Sequence, residues 1–302
     1  MAGKIVLYIS GVLGLLALIY VIIGIIIARR ILKPPFRTEE MIFQEESVKQ
    51  KISEDILNSP YQRVEISGHN RYKLSARIYT ADKASNKWIV ALHGYNNRSL
   101  TIAKYARIFN KLGYNVLAPD MRRSGLSGGK TITFGYYERK DAEDWLEYLY
   151  SNYKDIKIGL FGISLGASTG ILVASIRPDI RFLISYCSFS SFRDVIAARG
   201  PDYFSKIMLL YPAIIFGAYI LSRSALNTID IVDAVKDVTC PMLIMHSRKD
   251  AFTPYEQALK LSKANPDAKL HLFSEGAHAR AYSVSPEEYE KVMTDFIQNS
   301  DK

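Results

Sequence analysis

Cysteine is nearly absent from this chain: Cys187 and Cys240 are the only two among 302 residues, each at the edge of an apolar run. That scarcity excludes a disulfide framework and leaves two buried free thiols as the expectation. Histidine is scarce too, with five. Neither the histidines nor the carboxylates stand at ligand spacing, so no metal and no organic cofactor is implied. Zinc-finger spacings and the aromatic–basic signatures of RNA readers are missing. The formal charge is +9, but Lys and Arg are scattered rather than striped, and nucleic acid is not an expected partner. There is no internal repeat and no low-complexity tract. Charge itself is missing from one long stretch, Ile5 to Ala28.

That stretch has Lys4 before it and Arg29-Arg30 after it, and its length spans a hydrocarbon core with some tilt. It is too long for the apolar region of a signal peptide, and no A-x-A-like site or lipid-accepting cysteine follows it. An uncleaved single-pass anchor over residues 1–30 is expected. Gly11, Gly14 and Gly24 are ordinary in such a helix. Arg29, Arg30, Lys33 and Arg37 outnumber the positive charge on the other side, which puts the larger domain in the cytoplasm by the positive-inside rule. Residues 31–60 read as a juxtamembrane spacer. Pro34-Pro35 stiffens its start, and a thin apolar row at Ile42, Val48, Ile52 and Ile56 suggests a surface helix at the domain's edge.

From residue 61 to 302 one large α/β domain is expected. Gln62–Ile66 and Tyr72–Tyr79 read as an opening hairpin, and apolar strands follow at Trp88–Leu92, Asn115–Ala118, Lys157–Phe161, Phe182–Tyr186, Met242–Met245 and Lys269–Phe273. Helices alternate with them, which implies a mostly parallel sheet covered on both sides. Thr253-Pro254-Tyr255-Glu256 and Ser285-Pro286-Glu287-Glu288 fit capping boxes with proline at the first helical position. Residues 188–238 break the alternation with room for helices and no strand. Their apolar centre, Tyr203 to Leu221, is long enough to raise a second membrane span, but strands of one sheet lie on both sides of it. A helical cap over the site is the expectation.

The chemistry gathers around Gly162-Ile163-Ser164-Leu165-Gly166. A short apolar strand precedes this G-x-S-x-G and a small-residue helix follows it, which is the context that turns the pattern into a nucleophile elbow. A serine hydroxyl needs a base, and the base needs an orienting acid. His278 follows the last strand and precedes the last helix, where a base reaches back over the sheet edge. Asp250 lies between the penultimate strand and a helix; Asp233 and Asp237 are lesser candidates. His93 and His246 read as structural, His69 falls in a turn and His271 in a strand. The amides of Leu165, at a helix N-terminus, and of Tyr95, in the turn His93-Gly94-Tyr95, are candidate oxyanion donors.

This order of a His-Gly turn, G-x-S-x-G, Asp and His resembles the α/β-hydrolase superfamily from about Tyr61 to Ile297. The anchor and the turn Asp120-Met121-Arg122-Arg123-Ser124-Gly125-Leu126-Ser127-Gly128-Gly129 look most like small membrane-anchored bacterial serine hydrolases of the esterase and serine-aminopeptidase kinds. Many relatives have glycine where Arg123 stands. The resemblance implies Ser164 as nucleophile, His278 as base, Asp250 as acid, and Tyr95 and Leu165 as oxyanion donors. The expected activity is hydrolysis of carboxylic esters with short or medium acyl chains, or of lipid esters, through an acyl-enzyme. A peptidase or acyltransferase on the same triad is the alternative, and a non-catalytic binding protein on the same fold is a third reading.

Overall fold

Eight stretches of the chain form strands of one sheet, polar and open at its first edge and apolar towards its middle: β1 (Gln62–Ser67), β2 (Lys73–Tyr79), β3 (Lys87–Leu92), β4 (Asn115–Asp120), β5 (Lys157–Ile163), β6 (Leu183–Tyr186), β7 (Met242–Ser247) and β8 (Lys269–Phe273). The structure is a computed structural model that describes residues 1–69, 71–198 and 207–300. Asn70 of the expected hairpin turn, residues 199–206 of the expected cap and the last two residues lie outside it. Strand order is β1-β2-β4-β3-β5-β6-β7-β8. Only β2 is reversed, pairing antiparallel with β1 and β4; every other pair is parallel. The central strands are buried from end to end but for the lysines that begin β3 and β5, as parallel strands between helix layers must be.

The helices are α1 (Ala2–Leu32), α2 (Glu39–Gln44), α3 (Glu54–Leu57), α4 (Ala103–Lys111), α5 (Glu138–Asn152), α6 (Leu165–Ala174), α7 (Phe192–Ala197), α8 (Tyr211–Ser222), α9 (Ile231–Ala234), α10 (Glu256–Ala264), α11 (Ala281–Val284) and α12 (Pro286–Ser300). Two apolar clusters flank the sheet. One is built from Tyr105 and Phe109 of α4 with Tyr289, Met293 and Phe296 of α12. The other joins Trp145 and Leu149 of α5, Ile171 of α6 and Leu261 of α10 to Ile214 and Ala218 of α8. Ala28, Ile31 and Leu32 at the end of α1 belong to this second cluster.

Residues 33–57 lie on the domain and are held there by buried cations. Arg77 Nη2 is 2.6 Å from Glu39 Oε1, and Lys104 Nζ is 2.5 Å from Glu46 Oε2 with both side chains almost fully buried. Arg123 Nη2 donates to the Pro34 carbonyl over 3.0 Å. Ile42, Ile52 and Leu57 fill gaps in the cluster beneath. The helix α8 lies along α1: a Cβ on Gly24 would come within 2.4 Å of Ala213, and one on Gly217 within 2.7 Å of the Ile25 Cα. Gly24 is therefore a contact residue rather than an ordinary glycine of a lipid-facing helix.

One expected capping box is corrected. Helix α10 begins at Glu256 with Tyr255 as its N-cap and no side-chain cap, and Thr253 caps nothing. The Thr253 amide instead donates to Asp250 Oδ1 over 2.8 Å, and its carbonyl accepts from His246 Nε2 over 2.7 Å. The turn is committed to holding Asp250.

Candidate active site

Four segments meet at the carboxyl ends of the parallel strands, the edge where open α/β sheets bind ligands. They are the turn after β3, the β5–α6 elbow, the loop after β7 and the loop after β8. Ser164 stands between β5 and α6 at φ +54°, ψ −111°, a left-handed strained conformation for a residue with a side chain. Its own amide donates to the Tyr186 carbonyl over 2.8 Å, which holds the elbow to β6. The flanking glycines are there for space. A Cβ on Gly162 would sit 2.3 Å from the Gly166 carbonyl oxygen, and one on Gly166 would sit 2.1 Å from that of Leu92.

The structure brings Ser164, His278 and Asp250 into one hydrogen-bonded row. His278 Nε2 lies 2.9 Å from Ser164 Oγ, and His278 Nδ1 lies 2.7 Å from Asp250 Oδ2. A carboxylate only accepts, so Nδ1 carries the proton and donates to it. Nε2 then offers a lone pair to the serine hydroxyl. That arrangement can draw the proton from Oγ as it attacks a carbon. Asp250 Oδ1 accepts from the amides of Phe252 and Thr253. Burial alone would raise the Asp250 carboxyl, but hydrogen bonds from His246 and His278 outweigh it and hold the group at about 2. It stays an anion down to strongly acid pH.

His246, which reads from the sequence as structural, belongs to this site. Its Nε2–H donates to the Thr253 carbonyl and lies 3.3 Å from Asp250 Oδ2. His93 shapes the other wall. Its Nδ1–H donates to the Gly94 carbonyl over 2.8 Å, and its Nε2 accepts from the Met121 amide over 2.9 Å. Burial lowers its pKa, which suits a ring that must stay neutral to accept. The turn so fixed passes close to the elbow: a Cβ on Gly94 would be 3.6 Å from the Ser164 Cβ. Leu165 begins α6, so its amide is at the helix N-terminus beside Ser164. Asp233 and Asp237 are exposed and take no part in the row. His69 lies against Asp144, and His271 against Glu288. Cys187 is buried and free; Cys240 is free and half-buried.

Ser164 opens on two spaces. A cavity of about 340 Å³ is lined by Ser164 and His278 together with Glu46, Gln50, Asn97 and Lys104. On the other side a small apolar pit is lined by Tyr95, Phe134, Leu165, Phe189, Val195 and Phe252. A larger groove of about 880 Å³, near Tyr61, Asp82 and Arg107, includes none of these groups and is remote from the chemistry. The Tyr95 side chain lines both spaces and donates its hydroxyl to the Ile31 carbonyl, at the end of α1, over 2.7 Å. Nothing in the local sequence announces that bond or the contribution of Glu46 and Gln50. Both depend on pairing across dozens of residues.

Residues 83–212 match a family model described as serine aminopeptidase, S33. Over 298 residues the chain is 28% identical to the uncharacterized protein YqkD of Bacillus subtilis, covering 95% of this chain and 96% of that one. It is 25% identical over 216 residues to the lysophosphatidylserine lipase ABHD12 of Xenopus tropicalis, covering 65% of this chain and 53% of that protein. Among solved structures, the esterase Pf2001 of Pyrococcus furiosus superposes with a TM-score of 0.66 at 26% identity, covering 82% of this chain and 96% of the esterase. Sheet order, the row of side chains at its carboxyl edge and these likenesses agree: the chain has the α/β-hydrolase fold and is an enzyme similar to the hydrolases and esterases built on it.

Proposed function

We propose that the chain is a membrane-anchored serine hydrolase of carboxylic esters. Ser164 Oγ attacks the ester carbonyl as His278 Nε2 takes its proton, and Asp250 holds the imidazole in the required tautomer and stabilises the imidazolium. The amides of Tyr95 and Leu165 receive the negative charge that develops on the carbonyl oxygen. His278 returns the proton to the departing alcohol, leaving an acyl-enzyme. Water, activated by the same imidazole, then frees the acid. The observation that carries this reading is the unbroken row Ser164–His278–Asp250 behind a strained elbow.

An ester with an apolar acyl group suits the pit of Tyr95, Phe134, Phe189, Val195 and Phe252 better than a polar one. A peptidase that grips a free amino terminus needs an acidic group facing the cavity, and among the described residues the one carboxylate lining that wall, Glu46, is paired with Lys104. That favours esters over peptides. One relative carries the name of a lysophospholipid lipase, in keeping with an ester drawn from lipid. Helix α1 is the anchor in this reading, and Arg29, Arg30, Lys33 and Arg37 put the domain on the cytoplasmic side.

A fluorophosphonate probe on the full-length chain is the direct test. The wild type is expected to label once, and Ser164→Ala to lose both labelling and at least about 10⁴-fold of its esterase rate. Labelling that persists in Ser164→Ala would sink the assignment.

A further inference from the structure

The helix α8 (Tyr211–Ser222) carries no charge; the nearest charged residues in the chain are Lys206 and Arg223. At twelve residues it is about 18 Å long, too short to cross a bilayer of about 30 Å. Its neighbour is α1, touched at close quarters through Gly24 against Ala213 and Gly217 against Ile25. One step deeper, the Tyr20 hydroxyl donates to the Leu209 carbonyl over 2.7 Å.

The level of that contact decides what surrounds α8. The apolar run of α1 ends at Arg29-Arg30, and its part clear of α8, Ile5 to Ile19, is only about 22 Å long as a helix. That is short of a hydrocarbon core of about 30 Å. A membrane-spanning α1 must therefore place Tyr20 to about Gly24 in hydrocarbon as well, and the α8 segment packs there through Leu209 and Ala213. The surfaces agree. Leu209, Phe216, Tyr219 and Ile220 face outward and are between 46 and 74% exposed. They continue the outward face of α1 at Ile22, Ile23 and Ile26. Toward the domain, the next charges are Arg29-Arg30 on α1 and Arg223 just past the end of α8.

We propose that α8 is embedded in the membrane leaflet next to the domain, its outer face against lipid acyl chains, without crossing to the other side. The inference rests on the anchor reading of α1 and goes beyond it. The insertion between β6 and β7 then dips into lipid beside the anchor, while Phe189 and Val195 of the same insertion wall the pit beside Ser164.

Tryptophan quenching by brominated acyl chains tests this in the full chain, reconstituted in phosphatidylcholine–phosphatidylglycerol vesicles. The two native tryptophans, Trp88 and Trp145, are buried and give a constant background. Ile220→Trp on α8 and Leu13→Trp in the middle of α1 are each expected to lose most of their added emission; Leu259→Trp on α10 is expected to keep it. Phe216→Trp reads the same face should Ile220→Trp fail to fold. Quenching at Leu13→Trp without quenching at position 220 or 216 overturns the proposal and leaves the anchor standing. If neither α1 nor α8 is quenched, both readings fall. Loss of quenching on α8 together with cross-linking between copies through Ile220→Cys would assign the face to a second copy of the chain, and would also overturn it.

Discussion

Asp141 on α5 shows what burial does to a single carboxyl in this fold. Tyr72 donates its hydroxyl to Oδ1, while Arg122 Nη1 stays 3.9 Å from Oδ2. Burial, with Glu138 and Asp144 adding to it and Arg122 opposing, pushes the group up to about 7. A carboxyl raised on folding contributes stability below its unfolded pKa of about 4, and that contribution is lost as pH rises through about 7. Asp141→Asn mimics the neutral acid. Relative to the wild type, it is expected to gain roughly 2–4 kcal/mol on going from pH 5 to pH 8, read by thermal unfolding at both values. An equal effect at the two pH values would mean that the carboxyl is ionised throughout. Asp250 runs the other way: held at about 2, it stabilises above about 4 and loses that only in strong acid. Ser164, His278 and Asp250 were legible from the sequence because each follows a strand that periodicity reveals. The grip of His246 on Asp250 was not, because both His246 contacts are made by a loop whose path no local pattern dictates.

At the scale of elements, the hairpin pattern gave β1 and β2 and the apolar runs gave the other six strands, each to within two residues, since a strand covered on both faces leaves few alternatives. Helix starts were less secure. Helix α12 does start at Pro286, where the second box put it, but the first box failed because its threonine backbone was needed by Asp250 and His246. Helix pairing was illegible altogether: Gly24 looked like any glycine of an apolar helix until α8 was found against it. This yields a contrast within one helix. Gly24→Val drives methyl groups into the Ala213 backbone and is expected to cost about 1–3 kcal/mol in detergent-solubilised protein. Gly11→Val, where a Cβ meets nothing within 4 Å, is expected to leave the melting temperature unchanged. Equal melting temperatures for the two variants would mean that α1 and α8 do not pack as described.

For the whole molecule, the end of α1 is part of the domain and its beginning is not. Residues 3–19 are exposed throughout, whereas Ala28 and Leu32 are fully buried and Ile31 nearly so. Removing residues 2–19 is therefore expected to leave the unfolding temperature in detergent where it was. Removing residues 2–32 takes away three core side chains and two bonded carbonyls, and is expected to cost at least about 3 kcal/mol. Two truncations that melt alike would separate α1 from the core.

Three bonds converge on the few residues where α1 hands over to the domain: Tyr95 to the Ile31 carbonyl, the Ile132 amide to the Leu32 carbonyl, and Arg123 to the Pro34 carbonyl. A domain on a slack tether tumbles and offers every side to the plane it hangs from. On the anchor reading of α1 proposed above, this one is bolted to its helix instead, and a fixed face meets the plane at a fixed tilt. For an enzyme mounted in this way, finding a molecule dissolved in the same plane becomes a two-dimensional search, and the bearing of its entrance is set by the angle of a single helix.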